Sequence, residues 1–162
     1  MKMNKDEIQL CPETEWLGKY RMLVHRIIYL CNASATRFSI PQHYETEYKL
    51  TGIQLQVIEY ALEGRDDKMS VISDRLGITR GAFSNNVKVL TELGLMYKEH
   101  RGDNKKDYYL VVTEKGKEEY RKYAECIYSH CLKTVFSIAD EIPEAYIKIF
   151  ETMLEAYSDL LV

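Results

Sequence analysis

The sequence predicts a mainly α-helical protein with one small β-hairpin, and three observations support this fold class. Apolar residues recur at helical spacing along most of the 162 residues, as in Phe83, Val87 and Leu90. Two β-prone runs, Leu95 to Glu99 and Tyr108 to Val112, flank a polar tip that contains glycine. The chain is 46% hydrophobic yet has no apolar run of the length that spans a bilayer, which favours one globular core.

The first helix is predicted over residues 14–31, where the side chains form a broad apolar surface. Pro41 ends any helix or opens a loop, so residues 32–50 are expected to be irregular. Thr51 is a good N-cap for a second helix, Gly52 to Leu62. The apolar residues of the first helix are Trp16, Leu17, Tyr20, Leu23, Val24, Ile27, Ile28 and Leu30.

Two short helices follow on either side of a glycine-containing turn. Ser70 is expected to cap a helix from Val71 to Leu76, which stops at the C′ glycine Gly77. Thr79 is expected to cap the next helix, which ends near Gly94. Two short helices separated by such a turn are typical of a helix-turn-helix.

Beyond the hairpin, a long helical pattern starts after Thr113 and continues to about Ala139, and Pro143 opens a last helix. The first, long and last helices carry more apolar surface than the centre of the chain can cover. A solvated monomer would therefore expose a large apolar patch, and a symmetric homodimer with intertwined chain ends removes it.

Three regions are predicted from this order of elements. Residues 1–50 form an N-terminal helix and loop used in dimerisation. Residues 51–116 form the winged helix-turn-helix, in which the hairpin is the wing. Residues 117–162 form the long and terminal helices, also used in dimerisation.

Charge is distributed unevenly along the chain, whose net charge is −3. Between Ser70 and Val112 there are seven Lys/Arg and five Asp/Glu, which leaves +2 in that segment and −5 over the rest. The centre of the chain is thus where a polyanion is best accommodated.

The motifs of this centre resemble those of the MarR-type winged helix-turn-helix regulators. The stretch "VISDRLGITRGAFSNNVKVLTELGLM" is similar to the family's short helix ending in Leu-Gly, followed by a Ser/Thr-capped recognition helix. The stretch "YLVVTEKGKEEY" is similar to its strand followed by Leu-Thr-x-x-Gly. The resemblance covers residues 50–120 well and the flanking helices by arrangement. It implies a cytoplasmic DNA-binding repressor that binds a pseudo-palindromic operator as a homodimer and responds to a small-molecule effector.

The candidate DNA contacts lie on the second helix of the motif and on the wing. Ser84 and Asn85 can reach base edges, and asparagine suits the N6/N7 pair of adenine. Gly81 lets a DNA backbone come close, Arg80 can read guanine or hold phosphate, and the remaining cations would neutralise backbone charge. The predicted contacts to double-stranded DNA are Thr79, Arg80, Gly81, Ser84, Asn85, Lys88, Lys98, Arg101, Lys105 and Lys106.

Two departures from the family pattern affect these contacts. The wing tip has Asn104, Lys105 and Lys106 where the family usually has Asp-x-Arg or Asp-Arg-Arg, with Asp103 one residue earlier. Lysine lacks the planar fork that arginine offers to phosphate or a narrow groove. Asn85 stands where the family often has arginine, which shifts any base preference. Two alternatives remain open: this face is simply solvated, or the winged helix binds a protein instead of DNA.

The resemblance also implies an effector cleft between the dimer helices and the winged domain, suited to small aromatic acids or phenols. The chain has 13 tyrosines, a high number for its length. Ordinary packing at helix interfaces is the alternative explanation for them. The candidate pocket residues are Tyr20, Tyr29, Tyr44, Tyr48, Tyr123 and Tyr128.

A metal- or oxidant-sensing regulator of the same fold is a further alternative. Cys126 and His130 are spaced i, i+4 and share a helix face, and His43 lies in a loop expected to fold near that helix, together with Glu45 and Glu47. Packing is the alternative role for this pair. For a redox role, Cys126 and Cys131 diverge on an undistorted helix, and Cys11 is placed for an intersubunit disulfide.

An enzyme is not predicted. The chain has no phosphate-cradling glycine loop, nucleophile elbow or His-Glu-x-x-His run, and His25 on the first helix fits an interface or core-edge role. No cofactor is expected. With no secretory signal and no finger-type spacing of its cysteines, the chain is expected to hold reduced thiols in the cytoplasm, away from membranes.

Overall fold

The computed structural model describes residues 12–64, 67–101 and 107–159 of the chain. The chain divides into two compact units, Met1–Phe38 and Ser39–Val162.

The first unit contains a 3-10 segment, Pro12–Tyr20, and helix α1, Arg21–Phe38. Gly18 has φ +48° and ψ −135°, so the backbone leaves helical geometry there. The prediction of one continuous helix over residues 14–31 was therefore wrong, because the α-helix begins only at Arg21. Apolar spacing continues through a glycine break without showing it.

Helix α1 continues through residues 32–38, where irregular chain was expected. This stretch has no proline or glycine, and the Thr36 hydroxyl donates to the carbonyl of Asn32 within the helix (3.1 Å). The helix ends at Phe38, shortly before Pro41, whose ring disfavours the helical region for the residue that precedes it.

The second unit confirms the predicted fold class, a mainly helical domain with a small antiparallel hairpin. In chain order its elements are α2 (Gly52–Glu63), α3 (Met69–Arg75), α4 (Arg80–Glu92), β1 (Met96–Glu99), β2 (Tyr109–Val112), α5 (Glu114–Ile127), a π-helical turn (Tyr128–Leu132), α6 (Lys133–Ala139) and α7 (Glu144–Ser158). No helix among the described residues is long and apolar enough to cross a membrane.

Helix α2 starts where the sequence indicates. The Thr51 hydroxyl accepts from the Gln54 backbone N–H (3.1 Å), while the Gln54 side chain accepts from the Thr51 N–H (2.9 Å). This capping box satisfies two of the N–H groups that have no partner inside a helix. Leu55, Val57 and Ile58 of this helix are fully buried.

Ser70 does not cap α3, contrary to the prediction. The helix begins at Met69, two residues before the predicted start at Val71, and its N-cap is Lys68, which supplies no side-chain cap. The N–H of Met69 instead donates to the carbonyl of Tyr108 (3.0 Å), next to a backbone bridge between Lys68 and Tyr109. The start of α3 is thus fixed by the wing, an interaction between distant residues that local sequence does not show.

The turn between α3 and α4 follows the prediction. Gly77 has φ +62°, the left-handed conformation that a residue with Cβ rarely adopts, and its N–H donates to Asp74 O (3.1 Å). The Thr79 hydroxyl then accepts from the Ala82 N–H (3.2 Å) as the N-cap of α4. The helix-turn-helix is therefore confirmed.

The hairpin pairs Met96 with Val112 and Glu99 with Tyr109. Each strand is one residue shorter at its N-terminal end than predicted. Its base is joined to α4 and α5 through Thr113, whose hydroxyl donates to Gly94 O (2.8 Å) and accepts from the N–H of Gly116 (3.1 Å).

Gly116 packs directly against the backbone of the wing. A Cβ added there would lie 2.1 Å from the carbonyl oxygen of Leu95 and 2.8 Å from a Val112 methyl carbon. The close contact between α5 and the hairpin therefore requires glycine at this position.

The core of the second unit lies between α2, α4, α5 and the hairpin, where α3 adds Ile72. In contrast, α6 and α7 bury none of their described side chains within the single chain. The main buried residues are Tyr44, Leu50, Leu55, Val57, Ile58, Ala61, Ile72, Phe83, Val87, Leu90, Leu95, Met96, Leu110, Val112 and Tyr123.

The long helix predicted after Thr113 is interrupted by the π-helical turn. Within it, the Lys133 N–H donates to Tyr128 O, an i→i+5 hydrogen bond. Single π turns of this kind are rare and occur frequently at functional sites. The apolar spacing passes through the interruption, so periodicity alone could not locate it.

Candidate nucleic-acid interface

Helix α4 is attached to the core by one face and presents the other face to solvent. Phe83, Val87 and Leu90 are buried as their i, i+4, i+7 spacing predicts. Six of the predicted contacts, Thr79, Arg80, Gly81, Ser84, Asn85 and Lys88, are exposed along the opposite face. The N-terminal half of this face therefore has short or polar side chains that are free to meet a ligand.

The first turn of α4 has room and backbone donors for a phosphate. A Cβ added to Gly81 would meet nothing within 4 Å, so the fold itself does not require glycine there. Ala82 donates to the Thr79 hydroxyl and Phe83 to the Thr79 carbonyl. The N–H groups of Arg80 and Gly81 remain available, and they lie at the positive end of the helix dipole.

The two neighbouring asparagines of α4 differ in their surroundings. The Asn86 amide donates to the carbonyl of Ala82 (2.9 Å) and its side chain is half-buried. Asn85 is exposed on the same face as Ser84. Asn85 is therefore the more exposed asparagine of this pair.

The predicted cations occupy different electrostatic environments. Lys88 lies 3.9 Å from Glu92, one turn along α4, and both side chains are well exposed. Arg101 pairs with Glu99 and lies 4.8 Å from the centre of the Tyr109 ring, which orients it along the wing. Lys98 is exposed on β1, whereas Lys105 and Lys106 lie outside the described residues.

The six tyrosines proposed for an effector pocket are not equivalent. Tyr44 and Tyr123 are buried core residues whose rings meet edge to face at 5.1 Å, and burial raises the pKa of Tyr123 to about 12. Tyr48 is half-buried beside the ammonium of Lys115, 4.6 Å from its ring centre. Tyr128 is 50% exposed on the π turn, and Tyr20 and Tyr29 are exposed in the first unit.

A cavity of about 190 Å³ lies beside the wing, and none of the six tyrosines lines it. Its walls come from the end of α2, from β2 and from the start of α5. Arg101 and Lys117 contribute charge to an otherwise apolar lining. The lining residues are Ala61, Leu62, Arg101, Leu110, Val111, Val112 and Lys117.

The loop between α1 and α2 is attached to α5 by a buried carboxylate. Glu119 is 2% exposed and accepts from the N–H groups of Glu47 (2.8 Å) and Tyr48 (3.3 Å) through one oxygen. Its other oxygen accepts from the ammonium of Lys122 (2.9 Å). A bridge between Gln42 and Leu50 closes the same loop. Glu119 could not be identified from the sequence, because local spacing does not show a carboxylate that binds backbone N–H groups 71 and 72 residues away.

This attachment brings Glu45, not His43, next to the end of α5. Ligand atoms of Glu45, Cys126 and His130 all lie within 4.8 Å of one another. His43 is exposed and its Nδ1 lies 3.3 Å from Thr46 O. The predicted metal set of His43, Cys126 and His130 is therefore only partly brought together. Burial, with the nearby Glu45 carboxylate and Cys131, raises the pKa of the Cys126 thiol.

Residues 48–106 match the model of the MarR family. No curated protein matches the chain by sequence.

Three of the solved structures similar to this chain are of MarR-family or related regulators with low sequence identity. A MarR/EmrR family regulator from Acinetobacter sp. ADP1 is 21% identical, with a TM-score of 0.63 over 88% of this chain and 96% of that one. The zinc-responsive MarR family member ZitR of Lactococcus lactis is 16% identical, with a TM-score of 0.61 over 88% and 99%, and it has also been solved in complex with DNA. NadR, solved with 4-hydroxyphenylacetate, is 12% identical, with a TM-score of 0.55 over 96% and 97%.

The sequence match and the fold match agree on the same elements. The matched residues 48–106 include α2, the helix-turn-helix and the start of the wing, and the structural similarity covers 88% of the chain. The chain therefore has the winged helix-turn-helix fold of these structures, and its central part, residues 48–106, matches the MarR family model.

Proposed function

We propose that this protein binds double-stranded DNA as a homodimer and represses transcription from a pseudo-palindromic operator. The observation that carries the proposal is the exposed N-terminal half of α4, where Arg80, Gly81, Ser84 and Asn85 stand on a helix fixed by buried Phe83, Val87 and Leu90. In helix-turn-helix modules, this part of the second helix contacts base edges in the major groove. ZitR, which shares the fold, has been solved with DNA, and this supports the proposal.

The proposed division of labour follows from the side chains. Ser84 and Asn85 read bases, and Arg80 with the two available N–H groups of the first turn holds a phosphate or a guanine. Lys88 and Lys98 are exposed, and by neutralising phosphates they would release counterions and strengthen binding to DNA of any sequence. Arg101, held by Glu99, would contact the backbone from the wing, together with Lys105 and Lys106.

The homodimer is supported by apolar surface that the single chain leaves uncovered. On α7, Tyr146 is 64% exposed, Ile149 is 65% exposed and Phe150 is 47% exposed. On α6, Ile138 is 60% exposed. Exposed apolar stripes on consecutive helices exceed what a monomer usually shows, and a second copy covers both stripes by symmetry. Two recognition helices related by that symmetry would meet the two halves of an operator.

A small aromatic or phenolic effector is part of the proposal, since NadR has been solved with 4-hydroxyphenylacetate. A ligand changes DNA affinity only if it binds two arrangements of the protein differently. Tyr48 and Tyr128 are the accessible aromatic residues of the second unit among the predicted six, because Tyr44 and Tyr123 already fill the core.

The first experiment is a fluorescence-polarisation titration of the purified protein against DNA duplexes from the region beside its gene. Titrations at two salt concentrations with excess random duplex separate specific from general binding. We expect tight binding that survives the competitor and weakens steeply with salt, because phosphate contacts release counterions. A salt-independent result, or affinity equal to that for random DNA, would favour a winged helix that binds a protein.

Asn85→Ala tests the assigned reading face, with Asn86→Ala as its matched control. Loss of a bidentate adenine contact should reduce discrimination at one base pair by about 1–3 kcal/mol. Asn86→Ala should leave the specificity profile unchanged, because that amide is bound to the carbonyl of Ala82. An identical profile for Asn85→Ala and the wild type would remove Asn85 from the reading face.

A further inference from the structure

We propose that Glu45, Cys126 and His130 form a Zn²⁺ site that joins the loop before α2 to the π-helical turn after α5. The three side chains come from two segments separated by 81 residues, and their ligand atoms lie within 4.8 Å of one another. A carboxylate oxygen, a thiolate sulfur and an imidazole nitrogen together match the ligand types that Zn²⁺ binds in proteins.

The separations suit a tetrahedral ion after a small adjustment. Zinc–ligand bonds of about 2.0–2.3 Å place two ligand atoms of one tetrahedron about 3.3–3.8 Å apart. The observed limit of 4.8 Å therefore requires a closing movement of about 1.5 Å at most. Glu45 is exposed, so its side chain can make that movement without displacing core residues.

His130 is already oriented as a ligand. Its Nδ1 lies 2.9 Å from the carbonyl oxygen of Cys126, and a neutral imidazole that donates there has its Nε2 lone pair free. Metal-binding histidines usually hold their second ring nitrogen in such a hydrogen bond, which fixes the tautomer and the ring plane. Because the partner carbonyl belongs to Cys126, the same contact fixes two of the three ligands relative to each other.

Glu45 occupies its position at a conformational cost. Its φ of +60° lies in the left-handed region and makes it the only non-glycine residue with positive φ in the described parts of the chain. The flanking residues hold it there: Tyr44 is packed on Tyr123, and the Glu47 N–H is bound by Glu119. Backbone strain that is held by its surroundings is concentrated at functional sites.

Three protein ligands leave a fourth position of the tetrahedron open to water or to another group. Sulfur and imidazole together exclude Mg²⁺ and Ca²⁺, which take oxygen ligands, and favour a borderline ion such as Zn²⁺. Since α6 follows the π turn directly, the bound ion would fix the loop of the winged domain to the start of the exposed C-terminal helices. If the protein is the DNA-binding regulator proposed above, the ion would then alter DNA affinity.

The test is binding of Zn²⁺ alone to the full-length, chelator-stripped protein, measured by competition with a chromophoric chelator. We expect one ion per chain. Loss of an outer-shell partner alone lowers metal affinity by about 10–100-fold, so Glu45→Gln, Cys126→Ser and His130→Gln should each lower it more than tenfold. The matched controls are His43→Gln, which removes the other loop histidine, and Cys131→Ser, which removes the neighbouring exposed thiol. Both control variants should bind Zn²⁺ within about twofold of the wild-type affinity, because neither side chain belongs to the proposed ligand set.

Cobalt substitution provides a second measurement that reports the sulfur directly. Co²⁺ in this site should give thiolate-to-cobalt charge-transfer absorption, lost in Cys126→Ser and retained in Cys131→Ser. Thermal unfolding of each variant without metal shows whether it is folded. Stoichiometry below one ion per chain, or equal affinity of Glu45→Gln and the wild type, would overturn the site. DNA binding is not needed for either measurement, so the two proposals can fail independently.

Discussion

Replacing Glu119 by alanine should destabilise the protein substantially, although the residue is one of many carboxylates in α5 and its surroundings. Its side chain accepts from two backbone N–H groups of the loop, at 2.8 and 3.3 Å, and it is 2% exposed. A hydrogen bond to a charged group contributes about 1.5–3 kcal/mol, and the longer of the two bonds contributes less. The Lys122 ion pair adds little, because the ammonium side is 32% exposed.

These contributions predict that Glu119→Ala lowers the free energy of unfolding by about 2–4 kcal/mol. The assay is urea denaturation followed by circular dichroism, at one fixed protein concentration because a dimer's stability depends on it. Glu119→Gln keeps an acceptor oxygen and should recover part of the loss. Glu118→Ala is the matched control: this neighbouring carboxylate is 49% exposed and pairs only along the helix surface with Arg121, so the change should stay within about 0.5 kcal/mol. Equal stability of Glu119→Ala and Glu118→Ala would refute the argument that Glu119 attaches the loop.

Three further predictions concern single residues. Gly116→Ala should destabilise by about 1–3 kcal/mol in the same assay, since its Cβ would overlap the Leu95 carbonyl; an unchanged midpoint would contradict this. Gly81→Ala should leave stability unchanged or raise it by up to about 1 kcal/mol, yet weaken DNA binding in a polarisation titration, because the added methyl group occupies open space on the proposed interface. Retained DNA affinity would show that no backbone approaches there. Ile149→Lys should convert a dimer to monomer in sedimentation velocity, because it places a charge on the exposed stripe of α7; a persistent dimer would place the interface elsewhere.

Sequence patterns correctly predicted those elements that depend on interactions between residues close together in the chain. The Thr51 and Thr79 caps, the left-handed Gly77 and the buried face of α4 depend on residues within four positions of one another, and all appear as expected. Where the cause lies elsewhere in the chain, the prediction failed. Ser70 was expected to cap α3, but the wing strand binds the first N–H of the helix instead.

The candidate sites show the same difference between short-range and long-range interactions. The exposed face of α4 could be identified from the sequence, because the residues that bury the opposite face lie on the same helix. The aromatic candidates could not be sorted that way: Tyr44 and Tyr123 are 79 positions apart and belong to the core because their rings meet. Likewise, the sequence indicated that Cys126 and His130 share a helix face, but it favoured His43 as their partner from the loop.

By itself, the sequence determined the helical period, the Thr51 and Thr79 caps, the Gly77 turn and the hairpin, and with them the winged helix-turn-helix, since each depends on short-range sterics and hydrogen bonds. Only the tertiary structure decided how the loop before α2 meets α5. That contact is made by Glu119 across 71 residues, and it brings Glu45 instead of His43 to Cys126 and His130. A buried carboxylate must find hydrogen-bond donors wherever the folded chain offers them, and their location is fixed by packing and not by spacing along the sequence.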